Sequence, residues 1–201
     1  MPTVRQSGFE GELYTGDGTK DKVIIVMSGS NGGMGITRKE ALFYHKNGIP
    51  SLALALFKTK QTGEFLDRVP VEYVENAIKW LKEQGYQRIG IDGMSKGSEM
   101  ALLSASIFSE ISCVIARVPS YFVSEGLSGK GKSKGPSGTS CWSYKGKEIP
   151  CAPYNQIALT QSNNSFFISF LSVLHSLGCL RSDLNTSLMP CGTFVIIAWL
   201  I

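Results

Sequence analysis

The chemical signal that stands out is Gly93-Met94-Ser95-Lys96-Gly97, a Gly-x-Ser-x-Gly between an apolar run, RIGID, and a helix-like run, EMALLSAS. A serine becomes a nucleophile when its hydroxyl is presented to substrate and its proton has somewhere to go. A sharp strand-to-helix turn answers the first need, because it lifts the serine oxygen above the sheet edge. Glycine is required at 93 and 97, where a side chain would collide with neighbouring backbone. The Lys96 backbone amide, at the helix N-terminus, would face the charge developing on an attacked carbonyl oxygen. A plain structural turn explains the pentapeptide alone; the strand and helix around it favour the nucleophile.

A second oxyanion donor should follow the strand that begins at Lys22. The small-residue loop SGSNGGMG lies there, and Ser30 or Asn31 is the expected backbone donor. Two other glycine-rich chemistries fail. A phosphate-binding loop needs Gly-x-x-x-x-Gly-Lys-Ser/Thr, and no lysine precedes Thr37. A dinucleotide site needs Gly-x-Gly-x-x-Gly and an acid near the end of the second strand, where SLALALFKTK has lysines. The five cysteines have no Cys-x-x-Cys pair, so neither a disulfide framework nor a metal site is expected, and no cofactor.

These residues need a frame. KVIIVMSG (Lys22 to Gly29), SLALALF (Ser51 to Phe57), RIGID and SCVIARV (Ser112 to Val118) read as strands buried on both faces. Between them, GITRKEALFYHKNGIP reads as a helix with Thr37 and Glu40 as a capping box and Gly48 and Pro50 as its stop. PVEYVENAIKWLKEQG starts at Pro70 and puts Val71, Val74, Ile78 and Leu81 on one stripe. Strands alternating with helices imply an α/β fold with a mostly parallel sheet. Tyr121 to Tyr154 is rich in Gly, Ser and Lys and reads as a functional or disordered loop.

At 201 residues the chain can bury one core. The net charge of +4 owes much to one loop, GKGKSKG, so a nucleic-acid face is not expected. The N-terminus lacks the apolar core of a signal peptide, which points to a cytoplasmic protein.

The segments VIIVMSGSNGGM, IPSLALALF, VPVEYVENAIKWL, RIGIDGMSKGSEMALLSAS and SGTSCWSYKGKEIP together resemble the C-terminal catalytic domain of the acyl-CoA thioester hydrolase and bile acid-CoA:amino acid N-acyltransferase family. That family belongs to the α/β-hydrolases and is similar to dienelactone hydrolases. The resemblance implies Ser95 as nucleophile of an acyl-CoA thioesterase. Serine, where the family's transferases have cysteine, implies hydrolysis rather than transfer to an amino acid. It also implies a later Asp and then a His. His45 precedes the nucleophile and reads as a surface or packing residue; His175 follows it and is the disfavoured candidate for the base, because it lies in the charge-poor tail with Asp183 after it in the reverse order.

The resemblance ends near Tyr154. From Asn155 to Ile201 the charged residues are Arg181 and Asp183, and two apolar runs, Phe166 to Leu180 and Phe194 to Ile201, fall short of a membrane span. The expected organisation is a catalytic domain over 1–154, incomplete at its end, and a tail over 155–201 that is out of frame or a substitute C-terminus, with membrane association the weaker alternative. A serine hydrolase of small-molecule CoA-type thioesters, its activity impaired by a missing Asp and His, is the first functional expectation. A non-catalytic fragment that binds an acyl ligand or a partner is the second, and a dienelactone hydrolase-like carboxylesterase the third.

Overall fold

Five consecutive buried side chains, Val23 to Met27, need apolar cover on both faces of a strand. The computed structural model describes residues 2–120, 122–129, 135–154, 185–188 and 194–199, and it supplies that cover. Strands β1 (Gly11–Tyr14), β2 (Lys22–Met27), β3 (Ser51–Leu54), β5 (Arg88–Met94) and β6 (Ile111–Arg117) join a seven-stranded sheet. Its order is β1-β3-β2-β5-β6-β12-β11, where β11 is Asn185–Leu188 and β12 is Phe194–Trp199. The inner four strands, β3-β2-β5-β6, are parallel, while β1 at one side and β12 with the edge strand β11 at the other are antiparallel.

Helices α3 (Glu72–Glu83) and α4 (Lys96–Ile107) cover one face, with Val74, Ile78, Leu81, Met100 and Ala101 packed on Ile25, Met27, Leu52 and Ile91. Helix α2 (Gly35–Lys46) covers the other through Ala41, against Ile24, Val26 and Ala53. A short α1 (Val4–Ser7) precedes β1. The sheet therefore has the expected α/β architecture.

Two local expectations change. Helix α2 begins at Gly35 with Met34 as its cap and no side-chain capping bond, so Thr37 and Glu40 form no capping box. Thr37 is instead fully buried, and Glu40 pairs with Arg117 at 2.9 Å. Gly48 does end the helix, at φ +76° with its amide on the His45 carbonyl. Pro70 lies in β4 (Val69–Pro70), and α3 starts at Glu72 after its cap, Val71.

The described part of Tyr121 to Tyr154 is built of strands. β7 (Glu125–Ser128) pairs with β8 (Gly135–Ser140), and β9 (Trp142–Tyr144) joins β4 and β10 (Lys147–Glu148) in a second small sheet. Cys141 and Trp142 are wholly buried there. In the tail, β12 lies within the apolar run Phe194 to Ile201 and pairs with β6. His175, Asp183 and the run Phe166 to Leu180 lie outside the described residues. Among the described residues, no helix is long and apolar enough to cross a membrane.

Candidate active site

Strand β5 runs straight into the turn at Ser95, whose backbone sits at φ +53°, ψ −116°, a conformation that costs a non-glycine residue about 1–3 kcal/mol. The surroundings hold it there. A Cβ on Gly93 would lie 2.1 Å from the Gly97 carbonyl oxygen, and one on Gly97 would lie 2.6 Å from that of Ser28. The Ser95 amide donates to the Arg117 carbonyl at 2.8 Å, tying the turn to the end of β6. The Ser95 carbonyl accepts the Ser98 amide at 2.9 Å and opens α4. The Ser98 hydroxyl lies 2.6 Å from the carbonyl oxygens of both Gly93 and Arg117, bracing the turn from below. The Ser95 side chain is left exposed.

The Lys96 amide is the first of α4 and has no acceptor among the described residues. The loop after β2 meets the turn at Gly29, where a Cβ would come within 2.9 Å of Ser95 Cβ. Ser30 and Asn31 follow in a turn closed by the Gly32 amide on the Gly29 carbonyl, and their amides also lack acceptors among the described residues. Ser95 and Lys96 open on a cleft of about 210 Å³, lined further by Val118, Ser120, Phe122, Ser124 and Tyr154. Val118 stands at φ +53°, an outlier for a β-branched residue, at the cleft wall.

Behind Lys96 lies a carboxylate that sequence reasoning missed. Glu99 is 3 % exposed and accepts five bonds. Its Oε1 takes the Ser124 amide at 2.8 Å and Trp142 Nε1 at 2.7 Å. Its Oε2 takes the Ser120 hydroxyl at 2.6 Å, the Ser124 hydroxyl at 2.8 Å and Lys96 Nζ at 3.3 Å. Burial works against the Lys96 charge, but the Glu99 carboxylate outweighs it and holds the ammonium above the usual lysine range. Lys96 is thus a poor proton acceptor for Ser95, and a serine–lysine dyad is not built here.

A second polar cluster lies beneath the turn. Asp92, 2 % exposed, accepts the Tyr44 hydroxyl at 2.8 Å and Arg117 Nε at 2.9 Å. Burial pushes the Asp92 carboxyl up against the pull of Arg117, and burial also raises the Tyr44 phenol. His45 sits away from the cleft lining, as expected, accepting the Gly16 amide at 3.1 Å with its ring 6.0 Å from that of Tyr14. The described cleft lining contains no histidine. Among the described residues, no group of three or more His, Cys, Asp and Glu could hold a metal ion.

Residues 69–168, which include the turn at Ser95, Glu99 and Cys141, match the family model described as BAAT / Acyl-CoA thioester hydrolase C terminal. The matched span is just under half of the 201-residue chain. No curated protein matches it in sequence. Among solved structures, the chain is similar to an esterase from Pyrococcus furiosus at 23% identity, TM-score 0.46, over 60% of this chain and 56% of that one. An α/β-hydrolase from Penicillium matches at 20% identity, TM-score 0.43, over 51% and 38%. An acetyl xylan esterase from Aspergillus awamori matches at 10% identity, TM-score 0.44, over 56% and 47%. The match thus spans between 38% and 56% of the lengths of these three proteins.

At the end of β5 the structure brings together Ser95, Lys96 and the loop of Ser30 and Asn31, and leaves His45 elsewhere. Glu99 had one legible signal, its place one helical turn after Ser95. Arg117 had none: its role is carried by a backbone carbonyl at a strand end.

Proposed function

We propose that the α/β-hydrolase domain hydrolyses small-molecule acyl esters, and among them acyl thioesters of the coenzyme A type, with Ser95 as nucleophile. The observation that carries this reading is the Ser95 backbone, held at φ +53° between two glycines that no larger residue can replace, at the N-terminus of α4. Strain of that kind needs a reason, and presenting a hydroxyl to an acyl carbonyl is one. Ser95 Oγ would bond to the carbonyl carbon while the Lys96 amide, with that of Ser30 or Asn31, receives the oxyanion. The carbon–sulfur bond then breaks, the thiol leaves with a proton, and water cleaves the acyl-serine.

The Ser95 proton needs an acceptor, and Lys96 is committed to Glu99. His175, the histidine that follows Ser95 in the chain, is the candidate. A second reading, a non-catalytic domain that binds an acyl ligand, is favoured by the lack of a histidine in the described cleft lining. A third, a dienelactone hydrolase-like carboxylesterase, uses the same serine on an oxygen ester.

Intact-mass labelling with a fluorophosphonate separates the first two. A mass shift that disappears in Ser95→Ala and falls steeply in His175→Ala supports the nucleophile and its base. No shift in folded protein removes the enzyme reading and leaves the ligand-binding one. If Ser95 labels, turnover of matched acyl thioesters and oxygen esters distinguishes the remaining two.

A further inference from the structure

Of the three cysteines among the described residues, Cys141 has a lysine amine against it, whereas Cys113 and Cys151 have no lysine bonded among the described residues. Cys141, wholly buried between β8 and β9, has its Sγ 3.3 Å from Lys96 Nζ. The pair has company of a particular kind. Glu99 Oε2 lies 3.3 Å from the same Nζ, and the Ser124 hydroxyl lies 2.8 Å from that carboxylate and 3.9 Å from the sulfur. The thiol itself points at the Glu125 carbonyl at 3.1 Å. Amine, thiol, carboxylate and hydroxyl therefore meet behind the Ser95 cleft, whose wall includes Lys96 and Ser124.

We propose that Lys96 and Cys141 form an oxidative cross-link site, joined through a single oxygen atom as an N–O–S bridge. The separation suits this product. A bridge through one oxygen atom needs nitrogen and sulfur to close by only a fraction of an ångström from the present 3.3 Å, while a direct N–S bond would need them to close much further. The oxidant is dioxygen, small enough to pass from the cleft to the buried sulfur. The Lys96 ammonium sheds its proton to solvent in the cleft that it lines, freeing the amine. Nitrogen and sulfur together then give up four electrons to one dioxygen. One of its oxygen atoms enters the bridge, and the other leaves as water with the thiol hydrogen and one amine hydrogen. Burial pushes the Cys141 thiol up to about 11, so the sulfur stays a thiol and bulky alkylating reagents are kept from it. The neighbouring amine offers a reversible end point short of the irreversible sulfinic acid.

Lys96 follows Ser95 directly, so the bridge would pin the first turn of α4 to the wall between β8 and β9. The site is read by mass alone and stands or falls whether or not Ser95 turns over a substrate. The test is non-reducing intact-mass analysis of the full chain after aerobic incubation, against an anaerobic control. The expected species is heavier by one oxygen and lighter by two hydrogens, and a thiol reductant returns it to the starting mass. Peptide mapping of the wild-type chain should join the Lys96 peptide to the Cys141 peptide, with loss of tryptic cleavage after Lys96. Cys141→Ser and Lys96→Arg should both lack the species. Its absence after aerobic incubation, a map to other residues, or oxidation that stops on Cys141 without Lys96 would each overturn the assignment. The wild-type map does not depend on either variant folding.

Discussion

Replacing Glu99 by glutamine keeps the side chain's shape but exchanges one accepting oxygen for an NH₂ group. The amide oxygen must stay on the side of the Ser124 amide and Trp142 Nε1, because neither of those can accept. The NH₂ group then occupies the place of Oε2. Ser120 and Ser124 can turn their hydroxyls to accept from it, but the Lys96 ammonium cannot. The net change is a lysine side chain, 11% exposed, left facing a donor with its counter-charge gone. Breaking a buried pair by removing one partner costs about 3–5 kcal/mol, and Lys96 can partly recover over the Tyr154 ring, 5.5 Å away, so about 3 kcal/mol is expected. Lys96→Met leaves Glu99 with its four other donors and should cost about 1–2 kcal/mol. Made in the Glu99→Gln background, the same change should cost nearly nothing, because the stranded charge is gone. Urea unfolding of the wild type, both single variants and the double variant measures all three quantities. A Glu99→Gln protein within about 1 kcal/mol of wild type, or strictly additive variants, would refute the account of Glu99 as the counter-charge of Lys96.

Three further outcomes follow from the same neighbourhood. Gly93→Ala meets only backbone atoms, at 2.1 to 2.6 Å, and should lose about 3 kcal/mol or more, while Gly90→Ala, on the same strand with contacts no nearer than 3.7 Å, should lose less than about 1 kcal/mol by urea unfolding; equal losses would sink the steric argument. Val118→Gly relieves a positive φ at an exposed position and should stabilise the fold by about 1 kcal/mol; a destabilised variant would show that the side chain packs in a way its exposure does not suggest. Asp92 has its pKa raised by burial, so the native state binds its proton more tightly than the unfolded chain. Its contribution is therefore most favourable at or below the ordinary value of 3.8 and is lost as pH rises through the higher folded value. Asp92→Asn lacks this slope, so its stability relative to wild type should improve as pH rises from 3.8, read from urea midpoints at stepped pH; a flat difference would contradict the sign.

Much of the frame was legible because it is written in local periods. The unbroken apolar runs at β2, β3, β5 and β6 and the stripe of Val74, Ile78 and Leu81 on α3 need no knowledge of distant partners. β1 was not legible, since GELY is short and half polar and becomes a strand by pairing with β3, some forty residues on. The Gly- and Ser-rich stretch after Tyr121 misled for a related reason. Val69 pairs with Trp142 there, and that contact, not local propensity, makes the small sheet. Thr37 and Glu40 had the spacing of a capping box, but the helix began at Gly35, and both side chains were claimed by the packing around them.

The candidate site divides along the same line. Gly93, Ser95 and Gly97 specify the strained turn within five residues, because the clashes that forbid larger side chains arise within the turn itself and at the adjacent strand end. The sequence could therefore determine where a presented serine stands and which helix amide faces it. What surrounds Lys96 could not be read that way. Glu99, Ser120, Ser124, Cys141 and Trp142 come from a helix, a loop and a small sheet spread over more than forty residues. Each alone reads as an ordinary polar or buried residue. Only the tertiary structure decided that the Glu99 carboxylate gathers the two serines and the indole while Cys141 meets the lysine, because a buried charge draws its donors from whatever elements the fold brings within reach.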